Sequence, residues 1–337
     1  MARSGSSRAA PLVAQVFAEL ADGRFHSGEE LAKALGVTRS AVWKATGALR
    51  ALGATLHAVR NRGYRLAERS DPLDAARIRT ALGREARERV ARIETVWSLP
   101  STNTRLLERA DPAAGSSEVL LAEYQTAGRG RLGRAWLAPP GGAVCLSVSW
   151  TFREAPRDLG ALGLVIGVCA LRTLRGLRVA DAALKWPNDL LVGGRKIGGV
   201  LIELRAESAG PACVVIGIGL NVALGAMLLE KIAATGTEAT DLASAGIAAA
   251  SRNAVAAALV SDCLRGLIDF ERSGLRPFLE EWRAADALSG RPVHVSAAGG
   301  TARGLARGID LHGALVVETA QGLRRFVSGD VSVRSEP

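Results

Sequence analysis

The sequence predicts an α+β protein built from three folded regions. Three observations carry this reading: helical apolar spacing with turn signals over the first 70 residues, a long middle stretch where strand-like and helical runs alternate, and a glycine-punctuated tail of short strands. At 337 residues the chain is long enough for two or three domains. Boundaries are expected at residues 1–70, 71–92, 93–285 and 286–337, the second being a helical connector with charged faces. Apolar residues make up 48% and charged residues 23%, a balance that excludes a disordered chain. The net charge of +10 favours partners that carry phosphate.

In the first region Leu12, Val13, Val16, Phe17 and Leu20 repeat at helical spacing. Ser27 and Glu30 form a capping box ahead of a second helix, and Gly36 ends it. Thr38 can cap a third helix that buries Val42, Thr46 and Leu49 while Arg39, Ser40, Trp43 and Lys44 look outward. A hairpin follows: TLHAV, a turn from Arg60 through Arg62 to Gly63, then YRL. Helix, glycine turn, helix and basic hairpin make a winged helix-turn-helix, whose partner would be DNA. Eleven basic against five acidic side chains in residues 1–70 suit phosphates. A winged helix that serves only for packing or dimerisation stays open. The leading MARSGSSRAAPL has no acid and no apolar signal core, and reads as a tail.

The middle region holds strand-like runs (EVLLAEY, AVCLSVSW, CVVIGIGLNV) and helical ones (LGLVIGVCALRTLRGL, NAVAAALVSDCLRGLIDFER) around one large core. Between its first two strands Gly128, Gly130 and Gly133 give a formal G-x-G-x-x-G. A dinucleotide turn requires a helix after the glycines, to present its N–H groups to the pyrophosphate. Here Pro139, Pro140, Gly141 and Gly142 follow instead, so the segment reads as a flexible loop in which Arg129, Arg131 and Arg134 can meet anionic oxygens.

Three further clusters accompany that loop and its Gln125. One is Ser101, Thr102 and Asn103; another is LKWPNDLLVGGRKIGGVLIE, with Lys185, Asn188, Asp189, Arg195, Lys196, Gly198 and Gly199; the last is IGIGLNV, with Gly217, Gly219 and Asn221. No histidine lies between His57 and His294, which argues against histidine acid–base catalysis here. Arginines, lysines, small hydroxyls and glycines are suited to holding anions together, as phosphoryl or nucleotidyl transfer requires.

The last region, from Ser289 to Arg334, has short strands between glycines and reads as a small β-barrel that gains stability by docking on a larger domain. Cys145, Cys169, Cys213 and Cys263 are scattered without ligand spacing, so no metal site is suggested; they suit reduced core cysteines of a cytoplasmic protein. The longest apolar run, Ala161 to Leu171, is too short to span a bilayer, and no membrane partner is expected.

GRGRLGRAW, KWPNDLL, RKIGGVLIE and GIGLNV, behind a winged helix and ahead of a small barrel, resemble the bifunctional biotin protein ligases and biotin-operon repressors. The resemblance covers nearly the whole chain. It implies a class II synthetase-like catalytic domain and an SH3-like C-terminal barrel. Its implied reaction joins biotin and ATP, with Mg²⁺, into biotinyl-5′-adenylate and then biotinylates a lysine of biotin carboxyl carrier protein. Operator DNA is the other implied partner, bound by a homodimer of the adenylate-loaded form.

Carried over to this chain, Ser101, Thr102, Asn103 and Gln125 would meet biotin, with Gly198 and Gly217 lining the ligand. Gly128, Arg129, Gly130 and Arg131 would close over it, Arg131 nearest biotin and Arg129 supporting the closed loop. Arg134 would act on phosphates and Lys196 on the carboxylate and α-phosphate as they meet. Asn188 and Asp189 would position metal or the acceptor lysine, while Lys185 and Trp186 suit core packing equally well. DNA would be met by Arg39, Ser40, Trp43, Lys44, Arg60 and Arg62. One departure concerns the family's aromatic over adenine: near Gly236 this chain has Thr237. A ligase whose winged helix does not repress, and a non-catalytic biotin sensor, are the alternatives.

Overall fold

The computed structural model describes residues 10–154, 156, 158–205, 212–248, 250–297, 300–327 and 332–335. Most of the N-terminal tail lies outside these. The first module comprises α1 (Leu12–Leu20), α2 (Gly28–Leu35), α3 (Arg39–Ala51), β1 (Leu56–Val59) and β2 (Gly63–Leu66). Its boundaries follow the expected signals. Ser27 Oγ accepts from Glu30 N at 3.0 Å while Glu30 Oε2 accepts from Ser27 N at 2.8 Å, and Thr38 Oγ1 accepts from Ala41 N at 3.2 Å. Gly36 ends α2 at φ 64°, in the left-handed region. Val16, Phe17, Leu20, Leu31, Val42 and Leu49 then close a small core of their own.

The connector is helical, as α4 (Ala75–Ala81) and α5 (Arg84–Arg89), and it packs on the main core. Ile78, Leu82 and Ala86 are buried in the main core, and β3 (Val90–Leu99) begins before residue 93. After β3 come α6 (Thr102–Leu107), β4 (Ser117–Gln125), β5 (Ala143–Thr151), α7 (Leu162–Gly176), β6 (Ala182–Lys185), β7 (Asp189–Val192), β8 (Arg195–Arg205), β9 (Cys213–Asn221), α8 (Ala226–Ala233), α9 (Arg252–Ser273) and α10 (Leu279–Ala284). The strands make one mixed sheet in the order β3-β4-β5-β9-β8-β7-β6, parallel between β3 and β4 and antiparallel elsewhere.

Strand alternation gives this sheet two different faces. Leu146, Val148, Ile216, Ile218 and Leu220 point into the main core with α7 and α9. Their neighbours Ser147, Gly217 and Gly219 lie on the opposite face, where α6 packs. The segment Leu159–Gly176 is long and apolar enough to cross a membrane, yet 67% of it is buried as a core element of this domain.

The C-terminal module is a five-stranded antiparallel sheet of β10 (Pro292–Ala297), β11 (Gly300–Ile309), β12 (Leu315–Thr319), β13 (Gly322–Phe326) and β14 (Ser332–Ser335), ordered β13-β12-β11-β10-β14. Val293, Val295, Ile309, Leu315 and Val317 join the central domain's core, so the small module is stabilised by docking. Trp186, 1% exposed, donates its Nε1–H to Gly313 O at 3.0 Å, which makes it a core residue at that junction.

Candidate functional site

The arginine loop is paired as a hairpin. Trp136 N donates to Gly128 O at 2.9 Å, Gly130 N to Arg134 O at 2.7 Å, and Arg129 and Ala135 form a β-bridge. Leu132 and Gly133 make its tip at φ 55° and 73°, the backbone that a two-residue hairpin turn demands. The glycines, which suggest slack in the sequence, are held in register here by backbone pairing.

Below the hairpin, the site face of the sheet carries a polar network. Thr102 N donates to Gln125 Oε1 at 2.8 Å, and the Ser147 hydroxyl lies 2.6 Å from Thr102 Oγ1 and 2.5 Å from Asn103 Oδ1. Asn103 Nδ2 donates to Glu203 Oε2 at 2.8 Å. Arg129 Nη2 reaches down to Thr104 Oγ1 at 2.8 Å and Glu203 Oε1 at 3.2 Å. Loop, α6, β4, β5 and β8 therefore meet in one set of hydrogen bonds.

Between this network and Lys196 the floor is glycine. Asp189, Gly199, Gly219 and Cys145 are successive partners across four strands, and Leu201, Gly217 and Ser147 form the adjoining row. A methyl on Gly217 would stand 2.5 Å from Asn103 Oδ1, and one on Gly219 would stand 2.6 Å from the Trp136 ring. Any side chain at either position would displace a polar group or the indole that borders the trough. Beyond it, Lys196 Nζ forms an ion pair with Asp189 Oδ1. The backbone of Lys196 bonds to Glu238 O and Thr240 N at 2.8 and 2.9 Å, which brings the segment after Thr237 beside this lysine. Burial pushes the Cys145 thiol under the loop up to about 11, so it is no nucleophile.

Other expected residues also make bonds within the fold. Ser101 caps α6, its Oγ accepting from Thr104 N at 3.5 Å. Asn188 donates its amide to Val200 O at 2.7 Å, which ties β7 to β8. Gly198 faces the wrong way: a methyl there would meet Leu190 and Leu220 of the core at 3.0 and 3.2 Å, and the next glycine, Gly199, is the one beside Lys196. The β-bulge between Leu190 and Leu191 shifts this register, and composition gives no sign of it. Arg131 and Arg134 lie at the hairpin tip, Arg134 exposed.

On the winged helix, Arg39, Ser40, Trp43, Lys44, Arg60 and Arg62 are all exposed, with Trp43 at 64%. The Arg62 guanidinium lies 4.3 Å from the Phe25 ring centroid and that of Arg65 5.1 Å, so one aromatic orients two cations of the hairpin.

Family models agree with this architecture. Residues 97–221 match the biotin/lipoate A/B protein ligase family, residues 13–65 an HTH domain, and residues 288–334 the biotin protein ligase C terminal domain. The chain is 37% identical to the bifunctional ligase/repressor BirA of Salmonella typhimurium over 316 residues, covering 94% of this chain and 95% of that one. The chain belongs to the bifunctional biotin ligase/repressor family. Similarity to the Escherichia coli BirA is also 37%, over 95% and 97% of the two chains. Among solved structures, a biotin protein ligase from Aquifex aeolicus in complex with biotin and ATP is similar at 27% identity, with a TM-score of 0.62 over 73% of this chain and all of that one.

Sequence reasoning missed Ser147 and Glu203 as members of this polar network. Ser147 could have been found, because a small polar residue between Leu146 and Val148 breaks an apolar strand on one face only. Glu203 closes the RKIGGVLIE run but carries no signal of its own, since its partners Asn103 and Arg129 are far away in sequence.

Proposed function

We propose that this protein is a biotin protein ligase and biotin-responsive repressor. It forms biotinyl-5′-adenylate from biotin and ATP, then transfers the biotinyl group to a lysine of a biotin carboxyl carrier protein. The observation that carries this reading is the glycine-floored trough, with uncharged hydrogen-bonding groups at one end, Lys196 at the other and an arginine hairpin above. A ureido head group suits Thr102, Asn103, Ser147 and Gln125, which offer donors and acceptors without net charge.

In the first step a biotin carboxylate oxygen attacks the α-phosphorus and the bond to the β-phosphate oxygen breaks, so pyrophosphate leaves. Two anions must approach, and Lys196 opposes their repulsion where they meet, with Arg134 on the phosphates and Arg131 nearest biotin. In the second step the carrier's lysine amine attacks the carbonyl carbon of the mixed anhydride; the amide forms, AMP leaves and the amine loses a proton. The hairpin keeps water from that anhydride. Mg²⁺ suits a site with one carboxylate, Asp189, since magnesium is commonly held by one or two carboxylates plus substrate phosphates, and it would screen phosphate charge. The exposed basic face of the winged helix supports operator binding, by a homodimer of the adenylate-loaded form. Four free, buried cysteines are in keeping with a cytoplasmic location.

Incubation with biotin and Mg·ATP, with and without an apo carrier domain, followed by mass spectrometry, tests the reading. Adenylate that disappears as the carrier gains a biotinyl mass is expected. Absence of any adenylate would overturn the ligase and leave a biotin-sensing DNA-binding protein.

A further inference from the structure

A second cavity of about 320 Å³ opens at the other end of β5 from the arginine hairpin, roughly 25 Å away by strand rise. Trp150 and Ile268 give it an apolar wall, and Arg89, Arg153 and Arg272 bring three guanidinium groups to it. Gly115 allows two of them to meet: a methyl there would lie 3.2 Å from Arg89 Nη1 and 3.4 Å from both Nε and Nη2 of Arg153. Arg89 Nη1 donates to Gly115 O at 3.2 Å, a neutral acceptor that leaves its charge uncompensated.

The two carboxylates at the cavity, Glu154 and Glu271, offset this charge only in part. Glu271 accepts the backbone N–H of Arg153 at 2.6 Å, and neither it nor Glu154 forms an ion pair with any of the three arginines among the described residues. Like charges held side by side repel unless an anion lies between them. An elongated ligand with an anionic head for the guanidinium groups and an apolar body for the wall of Trp150 and Ile268 would suit this cavity.

We propose that this cavity is a second ligand site, for a small molecule that carries one phosphoryl or carboxylate group on an apolar body. Arg89 and Arg153 hold the anionic group across Gly115, Arg272 closes it from α9, and the body lies against Trp150 and Ile268. Planar guanidinium forks match both oxyanions, so phosphoryl and carboxylate head groups share this chemistry.

Isothermal titration calorimetry on the full chain, loaded with biotin and ATP to fill the trough, tests the site with phenyl phosphate and phenylacetate as probes and phenol as the uncharged control. One of the anions is expected to bind, which identifies the head group, while phenol does not. Replacing the exposed pair in Arg153→Ala/Arg272→Ala should weaken that binding at least about tenfold, or about 1.4 kcal/mol, with adenylate formation unchanged. Binding of neither anion overturns the proposal, as does equal binding by phenol or by the double variant. Gly115→Ala, which intrudes between the two guanidinium groups, provides an independent check and should also weaken the probe.

Discussion

Arg129 and Glu203 fasten the hairpin to the sheet: Nη2 of the arginine lies 3.2 Å from Oε1 of the glutamate, whose Oε2 accepts Asn103 Nδ2 at 2.8 Å. One carboxylate thus orders the loop above and the amide below. The pair is partly exposed, with side chains 45% and 25% accessible, so the bond itself is worth about 1 kcal/mol or less. Its importance is positional. Replacing Arg129 by Gly should leave the fold intact while raising release of free biotinyl-adenylate about tenfold in the absence of carrier. Glu203→Gln should fall between this variant and the wild type. Rates measured by trapping released adenylate check this; an unchanged Arg129→Gly rate would show that the hairpin closes without its arginine.

Gly217→Ala strikes the same network from below. Its methyl would stand 2.5 Å from Asn103 Oδ1, so the amide must leave Ser147 and Glu203. Biotin affinity is expected to drop roughly 10- to 100-fold, about 1.4–2.7 kcal/mol, with ATP affinity far less affected. Calorimetric titration of each substrate separates the two, and equal losses for both would indicate general damage to the sheet.

Lys196→Gln removes the cation that faces Asp189 while keeping most of the side chain's length. Adenylate formation should slow by about 10²–10³-fold in kcat, the scale of losing one preorganised electrostatic contact, with biotin binding retained. Rapid-quench measurement of the first step decides this, and a change confined to KM would assign Lys196 to substrate binding alone.

Much of this arrangement could be read from sequence where local physics sets it. The capping box at Ser27 and Glu30, the left-handed Gly36 and the alternation of Ser147 with Leu146 all follow from side-chain geometry within a few residues. What escaped depends on distant register. The bulge that turns Gly198 toward the core and Gly199 toward Lys196, and the meeting of Glu203 with Asn103, are set by how strands pair. The connector shows the same dependence: its charged faces and helicity are legible in sequence, while the packing of Ile78, Leu82 and Ala86 is set only once α9 lies against them.

The cysteines should be inert in the native protein. Burial pushes the Cys145 and Cys213 thiols up to about 11 and Cys169 up to about 12, and Cys263 is also raised well above the ordinary thiol value. Thiolate is the reactive form, so a disulfide reagent at pH 8 should label none of the four until denaturant is added. Rapid labelling of the native chain would mean that the sheet opens locally.

Asp286 should make the junction between the catalytic and C-terminal modules sensitive to pH. Its backbone neighbour is Leu184 of β6, its Oδ1 accepts from Leu288 N at 2.9 Å, and its Oδ2 is buried with no partner among the described residues. Burial raises its carboxyl to about 6 despite the backbone N–H groups of Leu288 and Ser289. In the unfolded chain the proton leaves near the ordinary value of 3.8, whereas the folded chain keeps it to about 6. Its favourable contribution is therefore complete below about pH 4, shrinks as pH rises toward 6, and is gone above that, a swing of at most about 3 kcal/mol. Asp286→Asn removes the titration and keeps an acceptor for Leu288, at the cost of a buried amide. It should be more stable than the wild type at pH 8 by about 1–2 kcal/mol and show no such advantage at pH 4. Denaturant unfolding at the two pH values checks this, and a difference that does not change with pH would refute the role of the carboxyl's charge.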